Sequence, residues 1–345
     1  MIVHDFVTAL SEQLPQTDGV VEVTATPCGA GQLADSFRLG LRYRDGTTGP
    51  SSVFVKLPPS DEASATTAQR IDAFGRESYF YTDLLPHLEV TTPRLLGLVD
   101  FGDTGTGIVL EDLSTLTRPL DQLRDGTPAQ VASVMDQLPG LQAPFWDDVT
   151  AAGGDERYYN RTQDHIEGLA ERYLQSWHRH GDTVGAGLDA PQRHLVERFG
   201  QRLREWAAGI AGPRTLVHQD LRLDNLLWSD ADGAVLIDWQ TLAFTSPAWD
   251  PAFLLGTALP PEQRRQTERG LIAGHSDALA ARGITGWPPE RAWTEHRRLS
   301  GSVLLAMIAA LAFVAPTERG FAMFASLIDR GTRQALDLDL LEFLD

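Results

Sequence analysis

Cysteine and long apolar runs are both scarce in this chain of 345 residues. The one cysteine, Cys28, excludes an intramolecular disulfide framework and favours a reducing compartment. The opening segment, MIVHDFVTALSEQLPQ, has no basic region followed by an apolar stretch, so we expect no signal peptide and a cytoplasmic location. The most apolar run, 303–315, is too short to cross a bilayer. We therefore expect no membrane partner and interpret this run as a core helix.

Basic residues are also fewer than acidic residues in this chain. The chain has 29 Lys and Arg against 47 Asp and Glu, a formal net charge of −18. No basic tract offsets this charge, so the composition argues against a nucleic-acid partner. An acidic surface would instead favour cationic small molecules electrostatically. The hydrophobic fraction of 42% is ample for a packed core, and the length suits two domains.

Lysine is the rarest cation, because only one of the 29 basic residues is a lysine. This residue, Lys56, stands in the short apolar stretch VFVKLP. Arginine is planar and forked, whereas lysine is a compact point charge on a thin stem. A position that keeps lysine in such a sequence should be narrow, partly buried and next to an anionic group. The alternative is a leftover surface lysine.

The secondary-structure pattern changes near residue 113. Before it, alternating or β-branched runs between turn residues predict strands over 20–25, 36–43, 51–57, 93–99 and 107–113. The segment 58–67 is predicted to be a polar loop, and 69–85 a helix. After residue 113, long helical patterns are interrupted by one strand-rich segment, 215–239. We therefore predict an α+β fold with a small β-rich domain over 1–113 and a larger, mainly helical domain over 114–345.

The candidate catalytic and metal-binding residues lie in the strand-rich segment, in LVHQDLRLDNLLW (216–228) and VLIDWQ (235–240). A hairpin turn at SDADG would bring Asn225 and Asp238 side by side as hard oxygen ligands suited to Mg²⁺. Asp220 would lie nearby and accept a proton from a substrate hydroxyl group. A histidine, Asp220 and Asn225 at this spacing, followed by a strand and Asp238, are typical of the catalytic loop of kinases.

A kinase also needs a lysine on a strand of its small domain and a helix glutamate that holds it. Lys56 fits the first requirement. Glu77 fits the second, because it shares the inward face of the predicted helix with Phe74 and Tyr81. A carboxylate buried there needs a charged partner. The alternative for Glu77 is an ordinary carboxylate at the edge of the helix.

Gly29, Gly31 and Arg222 are predicted with alternatives, and His218 is given one interpretation. Gly29 and Gly31 in CGAGQLADSF lie between predicted strands, so they fit a hairpin over nucleotide phosphates better than a dinucleotide fingerprint, which needs a helix there. A plain hairpin turn is the other interpretation. Arg222 either reaches the transferring phosphate or pairs with a nearby carboxylate. His218 is interpreted as structural.

The motifs VHQDLRLDN, LIDWQ and VLEDLS together resemble those of the aminoglycoside phosphotransferase/choline kinase-like family. Their residues are most similar to those of its ecdysteroid-kinase-like branch. The resemblance covers residues 20–255 and implies a bilobal, protein-kinase-like fold that binds ATP in its cleft. It also implies that the Glu111 carbonyl and the Leu113 amide bind adenine and that Leu110 is the gatekeeper. Asp250, by the same resemblance, supports the catalytic loop from the start of a helix.

The chain departs from protein kinases around Asp238. Trp239 and Gln240 follow it in place of Phe-Gly, and only 12 positions separate Asp238 from Asp250. This leaves little room for a peptide-binding platform, so we predict an ATP- and Mg²⁺-dependent transfer of phosphate to a hydroxyl group of a small molecule. A catalytically inactive, nucleotide-binding regulatory protein is the alternative. The stretch 121–190 is both acidic and aromatic, so a cationic and a flatter apolar acceptor both stay open. The oligomeric state is not predicted.

Overall fold

The computed structural model describes residues 3–28, 33–158, 163–312 and 317–344. The chain divides into two compact units. The first unit comprises Met1–His87, Thr91–Arg118 and Val235–Thr241, and the second comprises Leu88–Val90, Pro119–Ala234 and Leu242–Asp345. The functional boundary at residue 113, which marks a hinge by resemblance, stays a prediction.

In its described residues up to residue 111, the first unit contains three α-helices and five strands. In chain order they are α1 (Val3–Gln13), β1 (Val20–Pro27), β2 (Asp35–Tyr43), β3 (Ser52–Leu57), α2 (Glu62–Arg70), α3 (Ala73–Tyr79), β4 (Leu95–Asp100) and β5 (Thr106–Glu111). The five strands form one antiparallel sheet in the order β1-β2-β3-β5-β4. The ends of all five lie within two residues of the ends of the predicted strands.

Lys56 lies near the end of the central strand, β3. Its Cα is paired with that of Ser36 on β2 and that of Ile108 on β5. The residues on either side of it, Val55 and Leu57, are fully buried in the core that α1 forms with the sheet. Because side chains alternate along a strand, Lys56 points to the other face of the sheet.

The helical region after β3 differs from the prediction. The predicted loop 58–67 is wrong, because Asp61 caps a helix there: its carboxylate accepts a hydrogen bond from the backbone N–H of Ser64 at 2.8 Å. The predicted single helix over 69–85 is interrupted at Asp72, whose φ of 49° is left-handed. α3 then continues into a π-helical stretch, Phe80–Leu84.

The remaining elements belong to the second unit, except that β6 and β9 each contain residues of both units. In chain order they are β6 (Arg118–Pro119), α4 (Pro128–Met135), α5 (Leu138–Gln142), α6 (Gln163–Val184), α7 (Ala190–Gln201), α8 (Leu203–Ala208), β7 (Thr215–Val217), β8 (Leu226–Ser229), β9 (Gly233–Leu236), β10 (Ala243–Thr245), α9 (Trp249–Ala258), α10 (Pro261–Ala281), α11 (Pro289–Leu299), α12 (Ser302–Ala310) and α13 (Glu318–Asp337).

Helix α9 forms the centre of the second unit. All ten of its residues are buried, and α11, α12 and α13 pack around it. Its glycine, Gly256, allows the side chains of Gln334 on α13 and Val303 on α12 to approach its backbone closely. The apolar run predicted as a core helix is α12, which is buried along most of its length. Among the described residues, no helix combines the length and the apolar character that crossing a membrane requires.

Candidate active site

Lys56 is only 9% exposed, and its ammonium group makes three short contacts within the first unit. Nζ lies 2.9 Å from Oε1 and 3.0 Å from Oε2 of Glu77 on α3. Nζ also lies 3.0 Å from Oδ1 of Asp238, which follows β9. The structure thus brings together the predicted lysine, the predicted helix glutamate and one predicted metal ligand.

The three charges differ in their exposure. Glu77 is fully buried, whereas the side chain of Asp238 is 34% exposed. Burial lowers the pKa of Lys56, but the charges of Asp238 and Glu77 outweigh this effect and raise it above its usual value. Burial raises the pKa of Glu77 against the opposing charge of Lys56. Two carboxylates that contact the lysine directly thus favour its charged form, and Glu77 is the one of the two that is fully buried.

The backbone that carries Asp238 is fixed to α3. The N–H group of Trp239 points to Oε1 of Glu77 at 3.4 Å, and its indole ring stacks on Phe80 with centroids 3.8 Å apart. The carbonyl oxygen of Gln240 accepts a hydrogen bond from Arg76 at 3.0 Å. Asp238 itself has a left-handed φ of 71°, which is uncommon for a residue other than glycine. The surrounding contacts hold this strained backbone in place.

The segment after β5, predicted to bind adenine, also has a defined backbone. The backbone N–H of Glu111 donates to the carbonyl oxygen of Arg94 at 3.0 Å. The Glu111 carboxylate in turn accepts a hydrogen bond from the backbone N–H of Arg94 at 2.7 Å. The Leu113 carbonyl accepts bonds from the N–H groups of Leu116 and Thr117. The N–H of Leu113 makes no hydrogen bond within the part of the chain that the structure describes. This donor suits the predicted contact with adenine.

Asp112, which sequence reasoning missed, anchors the same segment. Its carboxylate accepts hydrogen bonds from Arg38 on β2 at 2.6 Å, from Ser52 on β3 at 2.5 Å and from the N–H of Ser114 at 2.9 Å. Burial acts to raise the pKa of Asp112, but these bonds together lower it to about 2. The charged carboxylate thus ties the segment to the sheet.

In the second unit, the predicted catalytic loop runs from His218 to Asn225. Asn225 donates from Nδ2 to the backbone oxygen and to Oδ2 of Asp220, both at 2.8 Å. Arg222 lies 3.2 Å and 3.3 Å from the two carboxylate oxygens of Asp220, and it binds Asp224 at 2.8 Å. The side chain of Asp220 is 29% exposed, so it is oriented by its neighbours while one part of it remains accessible.

Arg222 pairs with carboxylates in this structure, and its predicted contact with the transferring phosphate stays a prediction. Burial lowers the pKa of Arg222, but the charges of Asp220 and Asp224 outweigh that effect. Asp224, also missed from the sequence, accepts a further bond from the N–H of Gln122 at 2.9 Å. Gln122 in turn binds the N–H of Leu223 and a carbonyl of α9, so it links the loop to that helix.

Asp250 in the first turn of α9 supports the start of the loop. It accepts bonds from the N–H groups of His218 at 2.7 Å and Gln219 at 2.9 Å. This is the contact that the resemblance implied, and His218 is fully buried beside it, as a structural histidine should be. The predicted hairpin turn is also formed, because Ser229 Oγ accepts bonds from the N–H groups of Ala231 and Asp232. Gly29 and Gly31 lie outside the described residues.

Comparison with known proteins finds a family model that matches part of this chain. The family model described as "Phosphotransferase enzyme family" matches residues 151–293, which include the catalytic loop and the segment after β9. No curated protein matches the sequence.

Solved structures of similar fold cover nearly the whole chain. Choline kinase from Cryptosporidium parvum Iowa II is 12% identical, with 99% of this chain and 98% of that chain covered and a TM-score of 0.60. Macrolide 2'-phosphotransferase MphH from Brachybacterium faecium is 19% identical, with 93% and 96% covered and a TM-score of 0.52. The GDP complex of wild-type aminoglycoside 2'-phosphotransferase-IIIa is 14% identical, with 96% and 99% covered and a TM-score of 0.54.

These comparisons confirm the predicted α+β kinase-like fold. The family model agrees with the predicted resemblance to the aminoglycoside phosphotransferase/choline kinase-like family over residues 151–293, which are less than half of the chain.

Proposed function

We propose that this protein is a phosphotransferase that uses ATP and Mg²⁺ to phosphorylate a hydroxyl group of a small molecule. The observation that carries the proposal is the position of the only lysine in the chain. Lys56 is a buried cation whose partners are the fully buried Glu77 and the partly exposed Asp238. A lysine held by a glutamate in this way is the device by which kinases bind the α- and β-phosphates of a nucleotide.

In this proposal Asp220 is the catalytic base. The acceptor oxygen forms a bond to the γ-phosphorus while the bond from that phosphorus to the β,γ-bridging oxygen breaks. The products are ADP and the phosphorylated acceptor, and the hydroxyl proton goes to the Asp220 carboxylate. Asn225 and Arg222 support this role, because both orient the carboxylate by direct contacts. The adenine contacts of Glu111 and Leu113 and the phosphate contacts of Gly29 and Gly31 complete the proposed nucleotide site.

The donors proposed for Mg²⁺ are Asn225 and Asp238, and their chemistry fits this ion. Both offer hard oxygen atoms, and Mg²⁺ takes few protein ligands because water and phosphate oxygens complete its shell. Bound Mg²⁺ would neutralise charge on the phosphates.

The substitution Asp220→Asn tests the mechanism. It removes the proton acceptor but keeps the size of the side chain, so we expect phosphate transfer to fall below detection while ATP still binds. Transfer would be followed as ADP release with a panel of aminoglycosides, amino alcohols, sugars and sterols, and ATP binding by calorimetry. Undiminished turnover in the variant would refute the role of Asp220.

The same panel separates an enzyme from an inactive regulatory protein. An enzyme releases ADP only when the correct acceptor and Mg²⁺ are both present, whereas a regulatory protein binds the nucleotide and releases none. A match to one acceptor class would also decide between the cationic and the apolar alternatives.

A further inference from the structure

Gln142, the last residue of α5, is fully buried, and its side chain is bonded through both of its polar atoms. Its Nε2 donates to the carbonyl oxygen of Pro247 at 3.0 Å. Its Oε1 lies 2.9 Å from Nε2 of His275 on α10. Its backbone oxygen also accepts a hydrogen bond from Oγ1 of Thr215 at 2.5 Å. One buried glutamine therefore joins three separate segments of the second unit.

Two of these segments lead to the contact that supports the predicted catalytic loop. Thr215 begins β7, three positions before His218. Pro247 lies three positions before Asp250, which accepts a hydrogen bond from the His218 N–H at 2.7 Å. Gln142 joins the same two segments three positions further upstream, so both contacts together fix their relative position.

His275 sets the orientation of the Gln142 amide. The Pro247 carbonyl can only accept a hydrogen bond, so the amide nitrogen of Gln142 faces Pro247 and the amide oxygen faces His275. His275 is therefore the donor, through its Nε2–H. Burial lowers the pKa of His275 to about 4, so the ring donates in its neutral form at neutral pH. Without this N–H the buried amide oxygen would lose its donor, and the amide would no longer be held towards Pro247.

We propose that Gln142 and His275 are positioning residues, which together hold the catalytic loop in the geometry that Asp220 needs. This inference rests on the proposed function, in which Asp220 accepts the proton of the acceptor hydroxyl group. A general base acts only within hydrogen-bond distance of the proton that it removes, so a small displacement of the loop lowers the rate of transfer. Gln142 and His275 act through β7 and the segment before α9, and neither needs to touch a substrate.

The test compares two buried donors at neighbouring positions of α10. His275→Leu removes the ring N–H that Gln142 accepts. Ser276→Ala removes a 2.6 Å hydrogen bond to the carbonyl oxygen of Trp287, which does not lead to the loop. We expect both variants to unfold at lower urea concentrations than the wild type, but only His275→Leu to lose activity, with kcat about tenfold lower. KM for ATP should not change, because the residues proposed to bind adenine and the phosphates belong to the first unit.

Two further variants at the same position test the hydrogen bond itself. The amide N–H of a glutamine reaches about as far as the Nε2–H of a histidine, whereas the asparagine side chain is shorter. His275→Gln should therefore restore most of kcat, and His275→Asn should be as slow as His275→Leu. An equally low kcat in all three variants, or the same loss of kcat in Ser276→Ala, would mean that packing alone matters and would overturn the proposal.

Hydrogen exchange tests the same connection without a nucleotide or an acceptor. The His218 N–H, which Asp250 accepts, should exchange faster in His275→Leu than in the wild type, and its rate should be unchanged in Ser276→Ala. Mass spectrometry of a peptide covering 216–225 measures this rate, and unchanged exchange in His275→Leu would refute the proposal. If the wild type transfers phosphate to no acceptor in the panel, the proposed function fails, and the exchange rates alone then decide whether His275 holds the loop. Transfer with an undiminished kcat in His275→Leu refutes the positioning role alone.

Discussion

Asp250 accepts a 2.7 Å hydrogen bond from the backbone N–H of His218, 32 positions earlier in the chain. Asp250 lies in the first turn of the fully buried helix α9, and His218 begins the loop that carries Asp220. The geometry of the catalytic loop is therefore tied to the most deeply packed helix of the second unit.

This contact predicts a pH dependence of stability. Burial raises the pKa of Asp250 to about 6, against the opposing effects of His218 and Gln219. The folded protein thus binds the proton more tightly than the unfolded chain, so the contribution of Asp250 to stability grows as the pH falls through 6 and is lost as it rises. Relative to Asp250→Asn, the wild type should gain about 1 kcal/mol in the free energy of unfolding between pH 7 and pH 5.

Urea unfolding of both proteins at several pH values measures this difference. The Asn variant serves as the reference, because every other titrating group is common to the two proteins. It should also be less stable than the wild type by about 1–3 kcal/mol, since one of two acceptors for backbone N–H groups is lost. A difference that does not change with pH would contradict the raised pKa.

The geometry around Lys56 predicts that arginine cannot replace it. In Lys56→Arg the charge is kept, but a planar guanidinium group is too wide for the space that Glu77 and Asp238 share around a single nitrogen. We expect kcat/KM to fall about a hundredfold, the scale of losing one phosphate-stabilising group. The reverse exchange at an exposed position, Arg42→Lys on β2, should leave activity unchanged. Steady-state kinetics with the acceptor found in the panel measures kcat/KM for both variants. A near-normal kcat/KM in Lys56→Arg would show that any cation suffices at this position.

Two glycines on neighbouring helices should respond oppositely to alanine. In Gly256→Ala the new methyl group would lie against Gln334 and Val303, so overpacking should destabilise the protein by about 1–3 kcal/mol. At Gly270 on α10 nothing lies within 4 Å of the new methyl group, so Gly270→Ala should add about 0.5–1 kcal/mol through helix propensity. Urea unfolding compares the two, and equal effects would mean that α9 is less tightly packed than described.

Much of the candidate site could be predicted because its motifs are local. Asp220 and Asn225 lie five residues apart on one loop, and their contact follows from that spacing. The five strands and their turns were predictable from alternation and turn residues. The helix after β3 was predicted less well, because Asp61 caps an unexpected helix and Asp72 takes a left-handed conformation that nothing in the sequence pattern indicates.

Other contacts between distant residues were not predicted from the sequence. Asp112 joins Arg38 and Ser52, which lie 74 and 60 positions away, and Asp224 binds the N–H of Gln122 across 102 positions. The sequence around an aspartate that lies beside a motif residue has no periodic pattern from which its bonding partner could be predicted. The rarity of lysine was the exception, because it marked Lys56 by composition alone.

By itself, the sequence predicted a kinase-like chemistry: the residue types, their order and their local spacing indicate a lysine on a strand, a helix glutamate and a catalytic loop. Tertiary structure alone decided that Asp238 contacts Lys56 across 182 positions and that Glu77 is fully buried while Asp238 is not. The physical reason is that charge pairing and solvent access depend on how separate elements pack, and packing is set by contacts between residues far apart in the chain.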